Sequence, residues 1–127
     1  MRYTSQKQKN IFGETLEVCS NEPLTGFFRD GSCNTCAEDV GSHTICVEVT
    51  KEFLEFSAAR GNDLSTPRPE LNFAGLKPGD RWCLCASRWA EAEQEGKAPL
   101  VVGAATNREA LTIVPEYNIR KYLIVLN

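Results

Sequence analysis

Apolar and polar residues alternate most regularly over His43–Val49 (HTICVEV). Ile45, Val47 and Val49 fall on one side and Thr44, Cys46 and Glu48 on the other, the two-residue period of a strand. Arg81–Ala86 (RWCLCA) repeats the pattern, with Trp82, Leu84 and Ala86 against Cys83 and Cys85. Thr15–Cys19 (TLEVC) predicts a shorter strand with Leu16 and Val18 on one face, and Leu100–Ala104 predicts another. Helical signals fill the gaps. Thr50 caps a helix over Lys51–Arg60, with Glu52 in its first turn and Gly61 as its stop. Phe53, Leu54, Phe56 and Ala58 spread round more than half of it, so it should be well buried. Ser87 caps a second helix running to Glu95. Thr106 and Glu109 have capping-box spacing for a third, ending at Val114. Pro115 stops that helix and opens a last one with Ile119, Tyr122 and Leu123 on one face. The final IVLN predicts either an edge strand or disorder.

Two long segments, 20–42 and 62–80, carry neither period and are broken by Pro and Gly. Loops of that length in a compact domain are functional more often than idle. The pattern predicts an α+β fold: a single domain, a mixed but mostly antiparallel sheet, helices mainly on one face, and two long ordered loops. The strand, helix, strand, helix order from Arg81 onward permits one parallel unit. Cys19, Cys46, Cys83 and Cys85 all fall opposite the large aliphatics. The second sheet face should therefore be small and soft, with the two loops left to cover it.

Composition narrows the picture. The chain has 127 residues and a net charge of −3, enough for one domain without staples. No excess of Lys and Arg is available for nucleic acid or an anionic membrane. No apolar run reaches the roughly 18 residues of a membrane span. Residues 1–9 predict a disordered polar tail, leaving 10–127 as the domain. The start lacks the apolar core of a secretory signal, so the expected compartment is the cytoplasm. The six cysteines should then be thiols or ligands rather than disulfides.

The block from Gly26 to Cys46 holds three of those cysteines and the only histidine. Cys33, Cys36, His43 and Cys46 run C-x2-C-x6-H-x2-C, donors that suit tetrahedral zinc. Strand parity opposes that set, because an odd offset sends His43 and Cys46 to opposite faces. Cys33 and Cys36 form a CxxC, but no helix follows to activate a thiol. Cys33 with His43 is a candidate nucleophile and base, with Asp39 or Asp63 to orient the imidazole. The plainer alternative is a structural histidine at a strand start. Arg29, Asp30, Asp63, Ser65 and Arg68 come from the two loops. They suit either a small-molecule site, in which an arginine fork takes a carboxylate or phosphate, or ion pairs that pin the loops.

Three stretches, LTGFFRDGSCNT, EDVGSHTICVEVTKEFLEFSAARGNDLSTPRPE and FAGLKPGDRWCLCASRWAEA, resemble an uncharacterised family of small bacterial and plant proteins, the domain of unknown function 2237. The resemblance runs from about Asn10 to Tyr122 and implies no established activity. Its pattern includes counterparts of Arg29, Asp30, Cys33, Asp39, His43, Asp63, Ser65, Arg68, Trp82 and Cys85. Where the family reads Cys-Cys-Asn-Thr-Gly, this chain has Ser32-Cys33-Asn34-Thr35-Cys36. A usual glycine position therefore holds Cys36, which weakens both the redox and the zinc readings. The function expected is a small-ligand binding or accessory module with its polar site between loops 20–42 and 62–80. The alternatives are a Cys33/His43 enzyme and a structural zinc module.

Overall fold

Strand β1, His43–Glu48, lies at the centre of the fold because its middle is apolar or small on both faces: Thr44, Ile45, Cys46 and Val47 are all buried. The computed structural model describes residues 8–124. β1 pairs antiparallel with β2, Arg81–Cys85, on one side and with β3, Leu100–Val101, on the other, giving the order β2-β1-β3. Beyond β3, Leu123 makes an isolated parallel bridge to Val101, and Ile124 N–H donates to the Val101 carbonyl at 2.9 Å. The C-terminal segment therefore extends the sheet edge as far as it is described. Residues 125–127 and the first seven residues of the expected tail lie outside the described residues. Gln8 and Lys9 belong to the domain: Lys9 bridges Thr15, and the Gln8 carbonyl accepts from Leu16 N–H.

Helix α1, Lys51–Ala59, starts where expected, with Thr50 Oγ1 accepting from Phe53 N–H. Helix α2, Ala86–Gln94, begins two residues early. Its N-cap is Cys85 rather than Ser87, because β2 runs straight into it and the Ser42 carbonyl takes the Ala86 N–H. Trp89 is fully buried and donates its indole N–H to the Pro99 carbonyl. The expected third helix is a 3₁₀ segment, Arg108–Thr112, capped by Asn107 rather than Thr106. Thr106 is committed elsewhere: its hydroxyl donates to the Val102 carbonyl and accepts from Cys46 N–H. Helix α3, Glu116–Arg120, follows Pro115.

One predicted strand shortens and another is absent. Leu100–Ala104 ends at Val101 and turns into a 3₁₀ segment, Gly103–Ala105. Thr15–Cys19 is not a strand. Its N–H groups go to three separate partners, Gln8, Ala104 and Gly31, so no ladder forms, and Val18 is 54% exposed while Leu16 is buried.

The sheet has the two unlike faces that the alternation implied. Ile45, Val47, Trp82, Leu84 and Val101 join Phe53, Leu54, Trp89, Val114 and Ile119 in one core. Cys19, Cys33, Cys46, Cys83 and Ala105 form the other. Loop 20–42 covers this sulfur face, but the second loop does not: its Leu64, Phe73 and Leu76 pack on the larger core. The expectation of free thiols is overturned. Cys19 is bonded to Cys46 and Cys33 to Cys83, leaving Cys36 and Cys85 free. Cys46 and Cys83 are direct cross-strand partners, so each presents its sulfur to a cysteine on the covering segment.

The Cys33–Cys83 bond closes a loop with a sequence separation of 50. In the chain-entropy account such a loop is worth about 4 kcal/mol. Replacing both cysteines by alanine should lower the urea unfolding free energy by about 2–5 kcal/mol. A loss under about 1 kcal/mol would mean that the bond does not hold loop 20–42 down.

Candidate functional site

Loop 20–42 contains few large apolar side chains that it buries, and it is fixed by polar bonds. Thr25 is fully buried and its hydroxyl accepts the Cys83 N–H at 2.9 Å, satisfying part of the free edge of β2. The Cys33 carbonyl accepts from the buried Asn107 side chain, and Gln8 both donates to the Thr35 carbonyl and accepts from Thr35 N–H. Asp30 closes the loop on itself, accepting from Ser32 N–H and Asn34 Nδ2. Gly26 is required here: a Cβ at this position would collide with the Ser32 carbonyl.

The loop delivers Asp39 to the start of β1. Asp39 is buried and accepts three bonds: from His43 Nδ1 at 2.7 Å, His43 N–H at 2.9 Å and Thr35 Oγ1 at 2.9 Å. A carboxylate only accepts, so Nδ1 carries the hydrogen, and in the neutral ring Nε2 keeps its lone pair. The imidazole is held from two further sides. Gly41 lies so close that a Cβ there would sit 2.9 Å from His43 Cε1, and the Phe27 ring stacks at 6.4 Å. The side chain is still 42% exposed.

His43 owes this position to a bulge. β1 and β2 are in register from Glu48 back to Ile45, which faces Leu84; the next pair is His43 with Cys85, so Thr44 is an extra residue. The unbroken alternation assumed from the sequence therefore does not extend to His43.

His43 borders two openings. A cleft of about 490 Å³ is lined by Phe27, Arg29, His43, Leu64, Trp82 and Cys83. A smaller cavity of about 200 Å³ is lined by His43, Asn62, Leu64, Trp82, Leu84, Cys85 and Arg88. Arg29 adopts a left-handed backbone (φ 55°), which costs a non-glycine residue of order 1 kcal/mol. Its guanidinium lies 5.3 Å from the Trp82 ring centroid and donates to the Gly26 carbonyl at 2.6 Å. A third cleft, about 600 Å³, holds Cys36, Thr35, Asn107 and Arg108 but neither Arg29 nor His43.

The candidates thus separate. Arg29 and His43 share the cleft between the two loops, and loop 62–80 contributes Leu64 to it. Asp30 serves its own loop. Asp63 is exposed and closes a turn, accepting from Thr66 Oγ1, Ser65 N–H and Thr66 N–H. Ser65 takes part through its backbone only. Arg68 pairs with Glu70 at 2.8 Å, both exposed. The Cys33 nucleophile is corrected: the residue is 0% exposed and its sulfur is bonded to Cys83. The proposed ligand set of Cys33, Cys36, His43 and Cys46 is not assembled. Among the described residues, the sulfurs that cluster are those of Cys19, Cys33 and Cys46, all in disulfides, while Cys36 lines a different cleft.

Phe27, Asn62, Leu64, Cys85 and Arg88 were not expected at the site. All five lie in the stretches that resemble the family, and Asn62 and Cys85 are among its pattern positions.

A family model described as an uncharacterised protein conserved in bacteria, domain of unknown function 2237, matches residues 9–123. The chain belongs to this family. A comparison with curated proteins found no match. Family membership accounts for the long motifs around Arg29, His43 and Trp82 without naming an activity, so the functional argument rests on the cleft that these residues form.

The Asp63 carboxyl is held below the usual aspartate range, first by the Thr66 hydroxyl and then by the Ser65 and Thr66 N–H groups. A carboxyl depressed on folding stabilises above its unfolded titration range and loses that contribution as pH falls through the lower folded value. The Thr66 amide resonance should therefore stay native-like at pH values that protonate free aspartate and shift only below them. An Asp63→Asn variant should lack that acid transition. A Thr66 shift at the ordinary aspartate range would contradict the turn.

Proposed function

We propose that this protein is a small-ligand binding or accessory module that takes a small organic or inorganic anion in the cleft between loops 20–42 and 62–80. The observation that carries this reading is Arg29. Its guanidinium faces the same cleft as His43 and, among the described residues, has no carboxylate partner. Arg68, by contrast, is neutralised by Glu70. A guanidinium fork matches carboxylate and phosphate oxygens with two parallel bonds. Trp82 supports the guanidinium from one side, and the Gly26 carbonyl fixes one of its nitrogens, so little side-chain entropy remains to be lost on binding. His43 Nε2 supplies an acceptor for a ligand hydroxyl or amide, or a second cation when protonated. Phe27 and Leu64 add apolar wall.

A ligand that binds only the folded state raises stability by about 2.7 kcal/mol at a hundred times its Kd. Thermal melting in the presence of phosphate, acetate, succinate and citrate should show a saturable rise with at least one of them. Arg29→Asn tolerates the left-handed backbone and removes the charge, so it should melt near wild type alone and lose that rise. The reading fails if none of the four anions shifts the melting temperature, or if the variant responds as wild type does.

A further inference from the structure

The second opening beside His43 contains a free thiol in a setting that the other free thiol lacks. Cys85 is partly exposed, ends β2 and is the N-cap of α2; its sulfur lies 3.3 Å from Ser87 Oγ, a contact the thiol must exchange for His43 Nε2 when it reacts. It is the cross-strand partner of His43 across the bulge, and the two residues line the same cavity of about 200 Å³. The bulge disrupts the regular ladder at this pair, so it is the shared cavity lining that places the two side chains beside the same opening. His43 has its Nδ1–H tied to the buried Asp39 carboxylate at 2.7 Å, and Nε2 has no hydrogen-bond partner among the described residues. A nucleophile, a base and a buried group that orients the base are the three parts of a thiol-dependent catalytic site. Cys33 cannot fill the first role, because its sulfur is bonded to Cys83.

We propose that Cys85 is a nucleophile served by His43, with Asp39 as the positioning residue, and that the site accepts the acyl group of a small activated ester or thioester. As the sulfur of Cys85 forms its bond to the carbonyl carbon, the thiol proton passes to His43 Nε2 and the carbonyl π pair moves onto oxygen. When that pair returns, the bond from carbon to the leaving oxygen or sulfur breaks, and the leaving group takes the proton from His43. The acyl group stays on Cys85 as a thioester until water, giving a proton to the same imidazole, adds to the carbonyl carbon; the carbon–sulfur bond then breaks, the sulfur takes that proton back, and the acid leaves as a carboxylate and a proton. No electrons enter or leave, so no oxidant is needed and the two disulfides are spectators. The cavity volume limits the acyl group to a few heavy atoms. This inference goes beyond the anion site, and Arg29→Asn, which removes that site, leaves Cys85, His43 and Asp39 in place.

Cys36 serves as the internal control, being a free and partly exposed thiol in a cleft without a histidine. The unreduced protein would be treated with p-nitrophenyl acetate and the acetylated cysteines located by peptide mass mapping over time. Cys85 should be acetylated about tenfold faster than Cys36 or more, in line with general-base assistance. His43→Gln should bring the Cys85 rate down to the Cys36 rate and remove the imidazole inflection from its pH profile, leaving Cys36 unchanged. Equal rates for Cys85 and Cys36 in the wild-type protein would overturn the proposal, and that comparison requires no variant to fold. A His43→Gln protein that melts like wild type and still acetylates Cys85 at the wild-type rate would also overturn it.

Discussion

Everything at the candidate site depends on how loop 20–42 is held to the sheet, and the sulfur layer holds it. Cys46 and Cys83 face each other on β1 and β2, and each is bonded to a cysteine from a segment with no strand of its own. The covering loop contributes little apolar burial, so the hydrophobic effect alone would not order it. Two cross-links and a set of buried polar bonds from Thr25, Gln8 and Asn107 supply what is missing. Once Cys33 is fixed over β2, the nine residues from Asn34 to Ser42 lead to the start of β1, and Asp39 lies on that path.

The buried carboxylate is the second constraint. A charge removed from water is costly unless it is paired and hydrogen-bonded. Asp39 meets that cost with three donors, two of which belong to His43. The same bonds that make Asp39 tolerable inside the fold fix the imidazole plane and choose its tautomer. The bulge at Thr44 then sets His43 opposite Cys85, out of register with Ile45 and Val47. Structural satisfaction and a chemically available Nε2 come from one arrangement.

Much of the frame was legible in the chain. The two-residue period located β1 and β2, Thr50 marked the start of α1, and alternation separated the aliphatic face from the cysteine face. The redox state was not legible, because spacing does not determine which cysteines meet, and Cys33 finds Cys83 at a sequence separation of 50. The bulge left no mark in the apolar pattern, so the break in register at His43 was not legible. Asp39 was foreseen as an orienter of His43 only as one of two choices. The sequence did not choose between it and Asp63; the 2.7 Å contact and the burial of Asp39 did. Loop charges were the least readable. Arg29, Asp30, Asp63 and Arg68 look alike in sequence, yet three of them are satisfied by neighbours within four residues.

His43 is the only histidine, so its ring nitrogens give a single set of NMR signals. A long-range proton–nitrogen correlation spectrum near neutral pH tests the arrangement most directly. The account predicts that neutral His43 is the Nδ1–H tautomer, with an unprotonated Nε2 whose signal moves when small anions or acyl probes are added. An Nε2–H tautomer, or an averaged pair of nitrogens typical of a freely exchanging surface histidine, would contradict it.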